Sequence, residues 1–374
     1  MIGSVQVERP TLVLDEAKAK RNIAHMAERA RQNGVRFRPH FKTHRSIAIG
    51  QWFRDAGVES ITVATADMAA YFARAGWRDM TLAFPVNVRE MTKISALAPD
   101  VSFGLLVDSQ EAVTFLGEHL KSPARMWIDI DTGFHRTGIR AENPQEAVRL
   151  ALGIVRVPCL TLAGILTHAG HSYNARSSDE ILAVHHETVE KMTKVRAALE
   201  EAGFPGLEIS VGDTPTMSVA TDWTGIDEVR PGNFVFFDCM QLQIGSCAEA
   251  DLALAIACPV AGKYPWRNEV LLYGGASHLS RDFVRRDDGS LSYGSVALPE
   301  GNGWGRLAPG AYVCHVSQVH GLVTCDKTLF DRVQIGDTVL VVPVHACDIP
   351  YLLTDYHTLD GQVLTSESSA QGES

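Results

Sequence analysis

The sequence predicts an α/β protein in which a (β/α)8 TIM barrel is followed by a C-terminal all-β domain. From about residue 10 to residue 240, eight strand patterns alternate with helical ones, which is the number and rhythm of a (β/α)8 barrel. After residue 240, apolar strand patterns follow one another without long helical patterns between them, as in an all-β domain. A doubly wound open sheet has the same alternation, and spacing alone does not exclude it.

The first helix pattern is the clearest element. Asp15 can cap it and Gly34 can end it. Apolar residues recur between them at helical spacing, namely Ile23, Met26, Ala27 and Ala30. The strand patterns of the barrel lie at residues 35–39, 60–65, 80–84, 101–107, 125–130, 161–168, 207–212 and 228–237, with long helical patterns at 109–120 and 178–203. The strand patterns of the second domain lie at residues 252–262, 269–275, 312–325 and 337–347.

Length and charge limit the domain count and the class of partner. The chain has 374 residues, and 45% of them are hydrophobic, which at about 100–200 residues per domain predicts two domains. We place these domains at residues 10–240 and 241–374 and expect residues 1–9 to pack on the second. The formal net charge is −10, which disfavours a nucleic acid because its phosphates would be repelled.

Membrane and export signals are not evident in the sequence. No run approaches the roughly 18 apolar residues that a membrane helix needs, and the first residues lack the charged and apolar regions of a secretory signal. The seven cysteines are scattered and form no CxxC pair, which is typical of a reducing compartment. We therefore expect a cytoplasmic protein.

The first candidate for chemistry lies just after the first barrel strand. Lys42 lies between His40 and His44, at the strand end where barrel enzymes place catalytic groups. Burial and neighbouring cations would lower the pKa of this amine, as imine formation requires. A lysine in an ordinary surface loop is the alternative interpretation.

Two further strand ends carry polar side chains in unusual density. Arg136 follows the fifth barrel strand in a loop with two glycines, and we expect it to point over the barrel mouth. His168 and Tyr173 follow the sixth strand. An ordinary exposed turn and a structural histidine are the respective alternatives.

The last two barrel strands end in segments suited to an anion. Gly212 and Thr214 follow one strand, and Gly232 and Asn233 follow the other. Barrel enzymes frequently bind a phosphate at these two loops, where backbone N–H groups and a hydroxyl converge. The sequence therefore predicts a phosphate site rather than two plain polar turns.

The second domain carries a candidate metal pair. His345 and Cys347 lie at the end of an apolar strand pattern, at positions i and i+2, which would put them on one face of the strand. Imidazole with thiolate favours zinc over magnesium or manganese. Two ligands are a weak signal, and a buried cysteine beside a core histidine is the alternative. With no third protein ligand visible, the site would be open and catalytic.

Taken together and in order, six segments resemble those of fold-type III pyridoxal-phosphate enzymes, and within them the D-serine dehydratase/D-threonine aldolase group. The segments are RPHFKTH (38–44), DTGFHRTG (131–138), THAGHSY (167–173), VGDTPT (211–216), VRPGN (229–233) and PVHAC (343–347). The resemblance covers nearly the whole chain. It implies an alanine-racemase-like barrel, a following β-domain, and a homodimer.

The resemblance also implies residue roles. Lys42 would hold pyridoxal phosphate covalently, Arg136 would lie near its phenolic oxygen, and Tyr173 would approach its pyridine nitrogen. Gly212, Thr214, Gly232 and Asn233 would line the phosphate, and His345 and Cys347 would hold a divalent metal, most simply zinc. We expect catalytic roles for Lys42, Arg136, His168 and Tyr173. Phe41 stands where relatives often carry a small residue, and we expect it to narrow the pocket.

These parts suggest a lyase acting on a β-hydroxy-D-amino acid. A neutral phenol at the pyridine nitrogen makes the cofactor a weaker electron sink, which disfavours racemisation, and a metal on the β-hydroxyl would assist its departure. We favour dehydration to a 2-oxo acid and ammonia, because the aldolase branch more often has an aspartate in place of Cys347. Retro-aldol cleavage to glycine and an aldehyde is the main alternative, followed by a racemase and a non-catalytic protein that binds pyridoxal phosphate.

Overall fold

The computed structural model describes residues 2–367, and these form two compact units. The first unit contains residues 24–42 and 53–232. Within the described range, the second unit contains residues 2–23, 43–52 and 233–367. The second unit is therefore assembled from three separate stretches of the chain.

Strands occur throughout both units. In chain order the first ten are β1 (Thr11–Leu14), β2 (Arg36–Phe37), β3 (Ser60–Val63), β4 (Asp79–Pro85), β5 (Ser102–Val107), β6 (Ala124–Asp131), β7 (Ile139–Arg140), β8 (Leu160–Thr167), β9 (Glu208–Val211) and β10 (Glu228–Val229). They are followed by β11 (Leu254–Tyr264), β12 (Glu269–Tyr273), β13 (Val284–Arg285), β14 (Leu291–Ser292), β15 (Gly294–Glu300), β16 (Gly303–Val316), β17 (His320–Thr324), β18 (Thr338–Pro343), β19 (Asp355–Thr358) and β20 (Val363–Thr365).

The longer helices lie between the barrel strands. The helices are α1 (Glu16–Gln32), α2 (Ile47–Asp55), α3 (Ala66–Arg74), α4 (Met91–Leu97), α5 (Gln110–His119), α6 (Pro144–Ile154), α7 (Ser178–Glu201), α8 (Thr214–Val219), α9 (Cys239–Gln243), α10 (Ala276–Leu279), α11 (Lys327–Arg332) and α12 (Ile349–Leu352). Many begin at a side chain that accepts a hydrogen bond from the first turn; Thr65, Ser109 and Ser177 do this for α3, α5 and α7. Such caps satisfy N–H groups that would otherwise have no partner.

Eight parallel strands form the barrel of the first unit. The neighbours are β2, β10, β9, β8, β6, β5, β4 and β3, in that order. The ring is completed between β2 and β3, because the N–H of Phe41 donates to the carbonyl of Thr62 and the N–H of Thr62 donates to the carbonyl of Pro39, each at 2.9 Å. Parallel strands covered on both faces are expected to be continuously apolar, and β5 and β6 are buried almost throughout.

Charged side chains cross-link the amino ends of the barrel strands. Arg38 lies just after β2 and is completely buried; its guanidinium donates to Glu228 at 2.6 Å and to Asp79 at 2.8 Å. Arg36 donates to Glu208 at 2.6 Å, and Arg125 also binds Asp79. The acids start β4, β9 and β10, so these ion pairs join strands that are distant in sequence.

A nine-stranded sheet dominates the second unit. Its order is β12, β17, β16, β15, β18, β11, β1, β19 and β20. An additional pairing of β12 with β11 turns the first six of these strands into a closed antiparallel ring. β1 lies antiparallel to β11 and parallel to β19, so the sheet contains residues from near both ends of the chain.

The predicted fold class is confirmed, with differences in detail. All eight predicted barrel strands are present, but the one predicted at 228–237 ends at Val229 and is followed by a 3-10 turn at Asn233–Val235. Pro231 lies in this interval, and it has no N–H for strand pairing. Strand β1 was not predicted; it lies outside the barrel and pairs with β11 and β19, which are far along the chain. Within residues 2–367, no helix has the length and apolar character needed to cross a membrane.

Candidate active site

The carboxyl-terminal edge of the barrel gathers the predicted catalytic residues of the first unit. Lys42 follows β2, Arg136 follows β6 and His168 follows β8, and strand ends of a parallel barrel meet at one edge. Burial, and then the charges of Lys42 and Arg136, lower the pKa of the His168 ring. The structure therefore brings together three residues that are far apart in the sequence.

The backbone around Lys42 is held by the barrel and by an aromatic cluster. The N–H of Lys42 donates to Nδ1 of His40 at 3.3 Å. The Phe41 ring is fully buried, with ring centres of Phe53, Phe72 and Trp77 at 5.0, 4.9 and 5.2 Å. The expectation that Phe41 narrows the pocket is therefore wrong: its ring anchors the turn among residues of α2, α3 and the segment that follows α3.

Two neutral histidines accompany Lys42. Burial, and then the charge of Lys42, lower the pKa of both His40 and His168 well below the ordinary value. His168 Nδ1 donates to the carbonyl of Gly212, so its proton is on that nitrogen and Nε2 keeps a lone pair. This leaves His168 able to accept a proton at Nε2.

Arg136 and Tyr173 flank the same histidine. The guanidinium carbon of Arg136 lies 5.1 Å from the centre of the Phe134 ring, and that ring meets His168 edge-on at 5.6 Å. Tyr173 is part of the 3-10 turn Gly170–Asn174, and its ring centre lies 6.4 Å from that of His168. All four predicted catalytic residues are thus within one neighbourhood.

The loop after β9 contains one side-chain group suited to binding a phosphate, the hydroxyl of Thr214. Asp213 caps α8 by accepting from the N–H of Thr216 at 2.8 Å, and burial raises the pKa of Asp213 to about 6. The Thr214 hydroxyl is buried and has no hydrogen-bond partner in the described chain, which suits an anion. The N–H of Gly212 already donates to the carbonyl of Thr167 at 3.1 Å. A Cβ at Gly212 would lie 3.0 Å from the guanidinium of Arg230.

The other predicted phosphate residues follow β10. Asn233 belongs to the second unit, where its amide donates to Asp238 at 2.7 Å and its buried Oδ1 has no partner in the described chain. Gly232 is the last residue of the first unit. Their roles at a phosphate stay a prediction.

Two buried charges at the barrel edge were missed from the sequence. Arg230 donates from Nε to Ser210 at 2.7 Å, and burial lowers its pKa to about 10. Asp129, near the end of β6, is 4% exposed, and burial raises its pKa to about 6. A charged residue inside an apolar strand pattern was the available signal, since such groups are rarely buried without a partner or a function.

The candidate metal pair lies beyond its strand. β18 ends at Pro343, His345 is extended, and Cys347 belongs to the 3-10 turn Ala346–Asp348. The premise that both lie on one strand face is wrong, because the chain turns after His345. Nδ1 of His345 lies 3.4 Å from a carboxylate oxygen of Asp238, and the Cys347 sulfur lies 3.2 Å from the Thr43 hydroxyl.

The imidazole of His345 and the sulfur of Cys347 suit a soft divalent metal, but they do not surround it. An imidazole whose Nδ1 faces a buried carboxylate presents Nε2 to a metal, as in many metal sites. Burial by itself lowers the pKa of His345, but Cys347 and Asp238 raise it well above the ordinary value. Among residues 2–367, no group of three or more histidine, cysteine, aspartate or glutamate residues is arranged to hold a metal ion.

An amine and neutral histidines at the carboxyl edge of an eight-stranded barrel are typical of a barrel enzyme, because barrel enzymes place their catalytic groups at this edge. The profile of the alanine racemase N-terminal domain matches residues 14–239, and that of a serine dehydratase domain matches residues 253–359. The chain belongs to this family of fold-type III pyridoxal-phosphate enzymes.

Named relatives extend along the whole chain. D-threo-3-hydroxyaspartate dehydratase of Delftia sp. (strain HT23) is 32% identical over 96% of this chain and 97% of its own length. D-serine dehydratase of Dictyostelium discoideum is 26% identical over 95% and 94%. The solved Delftia structure covers 98% of both chains with a TM-score of 0.89 at 29% identity. D-threonine aldolase from Filomicrobium marinum, covering 98% of this chain and 96% of its own with a TM-score of 0.85 at 20% identity, shares the fold.

Proposed function

We propose that this protein is a pyridoxal-phosphate-dependent lyase that dehydrates and deaminates a β-hydroxy-D-amino acid. The observation that carries the proposal is the placement of Lys42 beside two partly buried, neutral histidines at the carboxyl edge of the barrel. A primary amine in that setting is suited to hold an aldehyde cofactor. The D-amino acid substrate and the dehydration reaction are proposed from the names of the relatives, D-threo-3-hydroxyaspartate dehydratase and D-serine dehydratase.

The residues at the barrel edge fit the cofactor. Lys42 would hold its aldehyde carbon, and the buried unpartnered hydroxyl of Thr214 would donate to its phosphate. Arg136 would face its phenolic oxygen and Tyr173 its ring nitrogen. When bound, pyridoxal phosphate withdraws electrons from the α-carbon of an attached amino acid.

The chain's own groups would move the protons. The Lys42 amine would take the α-proton, and His168 would receive or return a proton at Nε2, whose lone pair is left open by the Nδ1 bond to Gly212. Breaking the Cβ–O and Cα–N bonds, with loss of one water and uptake of another, releases a 2-oxo acid and ammonium. Tyr173, as a neutral phenol, would not protonate the ring nitrogen, which disfavours racemisation.

A zinc ion held by His345 and Cys347 would supply positive charge to the departing hydroxyl oxygen. The histidine is partly buried and its Nδ1 faces the buried carboxylate of Asp238, which supports a preformed ligand. Among the solved relatives are a histidine-to-alanine variant of D-threo-3-hydroxyaspartate dehydratase and a cysteine-to-alanine variant in a metal-free form. The substituted histidine and cysteine are two positions apart in that enzyme, as are His345 and Cys347.

The cofactor assignment is tested by absorbance. The purified protein, supplied with pyridoxal phosphate, should show a visible band that K42A lacks. K194A is the matched control, because Lys194 is an exposed lysine on α7 that pairs with Glu190, and it should keep the band. An identical spectrum for wild type and K42A would reject the assignment.

The metal assignment is tested by metal analysis and turnover. We expect H345A to lose bound zinc and nearly all activity while the visible band remains, since the lysine is untouched. H315A, at an exposed histidine of the same unit, should retain both. Full activity of the wild type after chelation would contradict the metal role.

Product analysis distinguishes dehydration from the aldolase alternative. D-serine, D-threonine and D-threo-3-hydroxyaspartate should each be incubated with the holoenzyme. A 2-oxo acid with ammonium supports the proposal, whereas glycine with an aldehyde would assign the protein to the aldolase branch.

A further inference from the structure

The loop that carries Arg136 is closed at its base by strand pairing. The loop leaves β6 after Asp131 and is followed by β7. Strand β7 pairs in parallel with the end of β6, and Asp131 lies opposite Arg140. Gly138 has a φ of +101°, and a Cβ there would lie 2.9–3.0 Å from backbone atoms of β6. The loop between Asp131 and Gly138 therefore has little conformational freedom at its two ends.

One carboxylate organises the first half of this loop. Oδ1 of Asp131 accepts from the N–H groups of Gly133 and His135, both at 2.9 Å, and Oδ2 lies 2.8 Å from Nδ1 of His135. Burial by itself raises the pKa of Asp131, but these hydrogen bonds lower it below its ordinary value. The group is ionised at neutral pH and can accept all three bonds.

These bonds hold a strained residue. His135 has a φ of +58°, the left-handed region that residues other than glycine rarely adopt. Its side chain is 77% exposed, so packing in the core does not impose the conformation. Such strain persists when surrounding contacts determine it, and two of the Asp131 contacts are to His135 itself.

The strained residue directly precedes Arg136. Phe134, on its other side, packs tightly, because a Cβ on Gly170 would lie 2.5 Å from its ring. Arg136 lies over that ring, and after burial and the charge of Lys42, its own charge also lowers the pKa of His40 and His168. The backbone direction at His135 therefore decides where the guanidinium can reach.

We propose that Asp131 is a positioning residue for the cofactor site: it holds His135 in the left-handed conformation and thereby places Arg136. The inference rests on the proposed function, in which Arg136 contacts pyridoxal phosphate. Asp131 itself would touch neither cofactor nor substrate.

The test is a rescue experiment on apoprotein titrated with pyridoxal phosphate. We expect D131A to raise the dissociation constant about tenfold, because the strained conformation is no longer held. Glycine adopts positive φ freely, so D131A/H135G should return to within about threefold of wild type, as should H135G alone. D131N keeps an oxygen for the two backbone N–H groups and should fall between wild type and D131A.

A double-mutant cycle tests whether Asp131 affects cofactor binding through Arg136. If Asp131 acts through Arg136, then D131A in an R136A background should weaken binding no further, giving strong non-additivity. D222A is the matched control, because Asp222 accepts comparable bonds from Thr224 elsewhere in the same unit. It should leave the dissociation constant unchanged, and thermal melts check that each variant is folded.

Two outcomes would overturn the inference. One is a folded D131A that binds the cofactor as wild type does, and the other is a D131A/H135G variant that binds as weakly as D131A. Failure of the wild type to bind pyridoxal phosphate would instead reject the proposed function, so the two failures are distinguishable.

Discussion

At the scale of single residues, the site depends on where protons are held. His40 and His168 stay neutral because burial and the nearby Lys42 lower their pKa values. A carbonyl partner fixes the His168 tautomer. Its Nε2 is therefore the atom on which a proton can be received, and this is a property of the fold around the ring.

Replacing His168 tests that role. We expect H168A to lower kcat by about 10²–10⁴-fold, the usual contribution of a general acid–base group, while the visible cofactor band persists. Steady-state kinetics and absorbance spectra measure the two effects. H119A, at an exposed histidine that also contacts a backbone carbonyl through Nδ1, is the control, and an H168A enzyme as active as this control would refute the role.

At the scale of elements, buried ion pairs join the strands of the barrel. Arg38 and Glu228 are both 0% exposed and hold β2 against β10. Removal of Glu228 leaves buried Arg38 with Asp79 as a carboxylate partner, and a buried charge with too little compensation costs far more than the intact pair contributes. These residues form no recognisable motif, because their partners lie about 40 and 190 positions apart.

Replacing Glu228 tests this element. We expect E228Q to lower the free energy of unfolding by about 3–5 kcal/mol at pH 7. Burial by itself raises the pKa of Glu228, but Arg38 lowers it below its ordinary value. A depressed folded-state pKa means that this stabilisation is present at neutral pH and is lost as pH falls toward that value.

Urea denaturation across pH measures both effects. The wild type should lose stability on acidification more steeply than E228Q, because the variant lacks the titrating group. E190Q removes an exposed pair with Lys194 and should leave the free energy of unfolding nearly unchanged, because exposed ion pairs contribute little. Equal losses for E228Q and E190Q would be inconsistent with a buried network.

At the scale of the whole molecule, the second unit depends on both ends of the chain. β1 lies between β11 and β19, so residues 11–14 pair with strands that begin at residues 254 and 355. Two further contacts join segments of this unit that are far apart in sequence. The Tyr356 hydroxyl donates to the carbonyl of His44 at 2.7 Å, and Arg45 pairs with Glu367 at 2.8 Å.

The N-terminal strand should therefore contribute substantially to stability. We expect L12A to cost about 2–5 kcal/mol, because Leu12 is 1% exposed and its loss leaves a cavity. L12M, which conserves volume, should cost less than about 1.5 kcal/mol. Chemical denaturation of both variants decides the matter, and an L12A protein as stable as wild type would show that β1 is dispensable.

Much of the fold was predictable because its signals are local. Asp15 and Gly34 bracket α1 as expected, with the Asp15 carboxylate accepting from the N–H of Lys18 at 3.0 Å and Gly34 at a φ of +67°. The alternating strand and helix patterns located every barrel strand, since apolar periodicity depends on residues that are close in sequence. The motifs likewise pointed to Lys42, Arg136 and His168 as neighbours.

Interactions between distant residues were beyond such reasoning. The aromatic packing of Phe41, the burial of Arg230 and Asp129, and the turn that separates His345 from its strand all depend on what lies opposite each residue in space. Sequence spacing contains no information on those partners unless a motif happens to record it.

By itself, then, the sequence determined the order of elements, the (β/α)8 barrel with its β-domain, and the family to which the chain belongs. Tertiary structure alone decided the protonation of His40 and His168, the strained backbone at His135, and the membership of β1 in the large sheet. The physical reason is that burial, Coulomb interactions and strand pairing act through space, whereas helix caps and periodicity act along the chain.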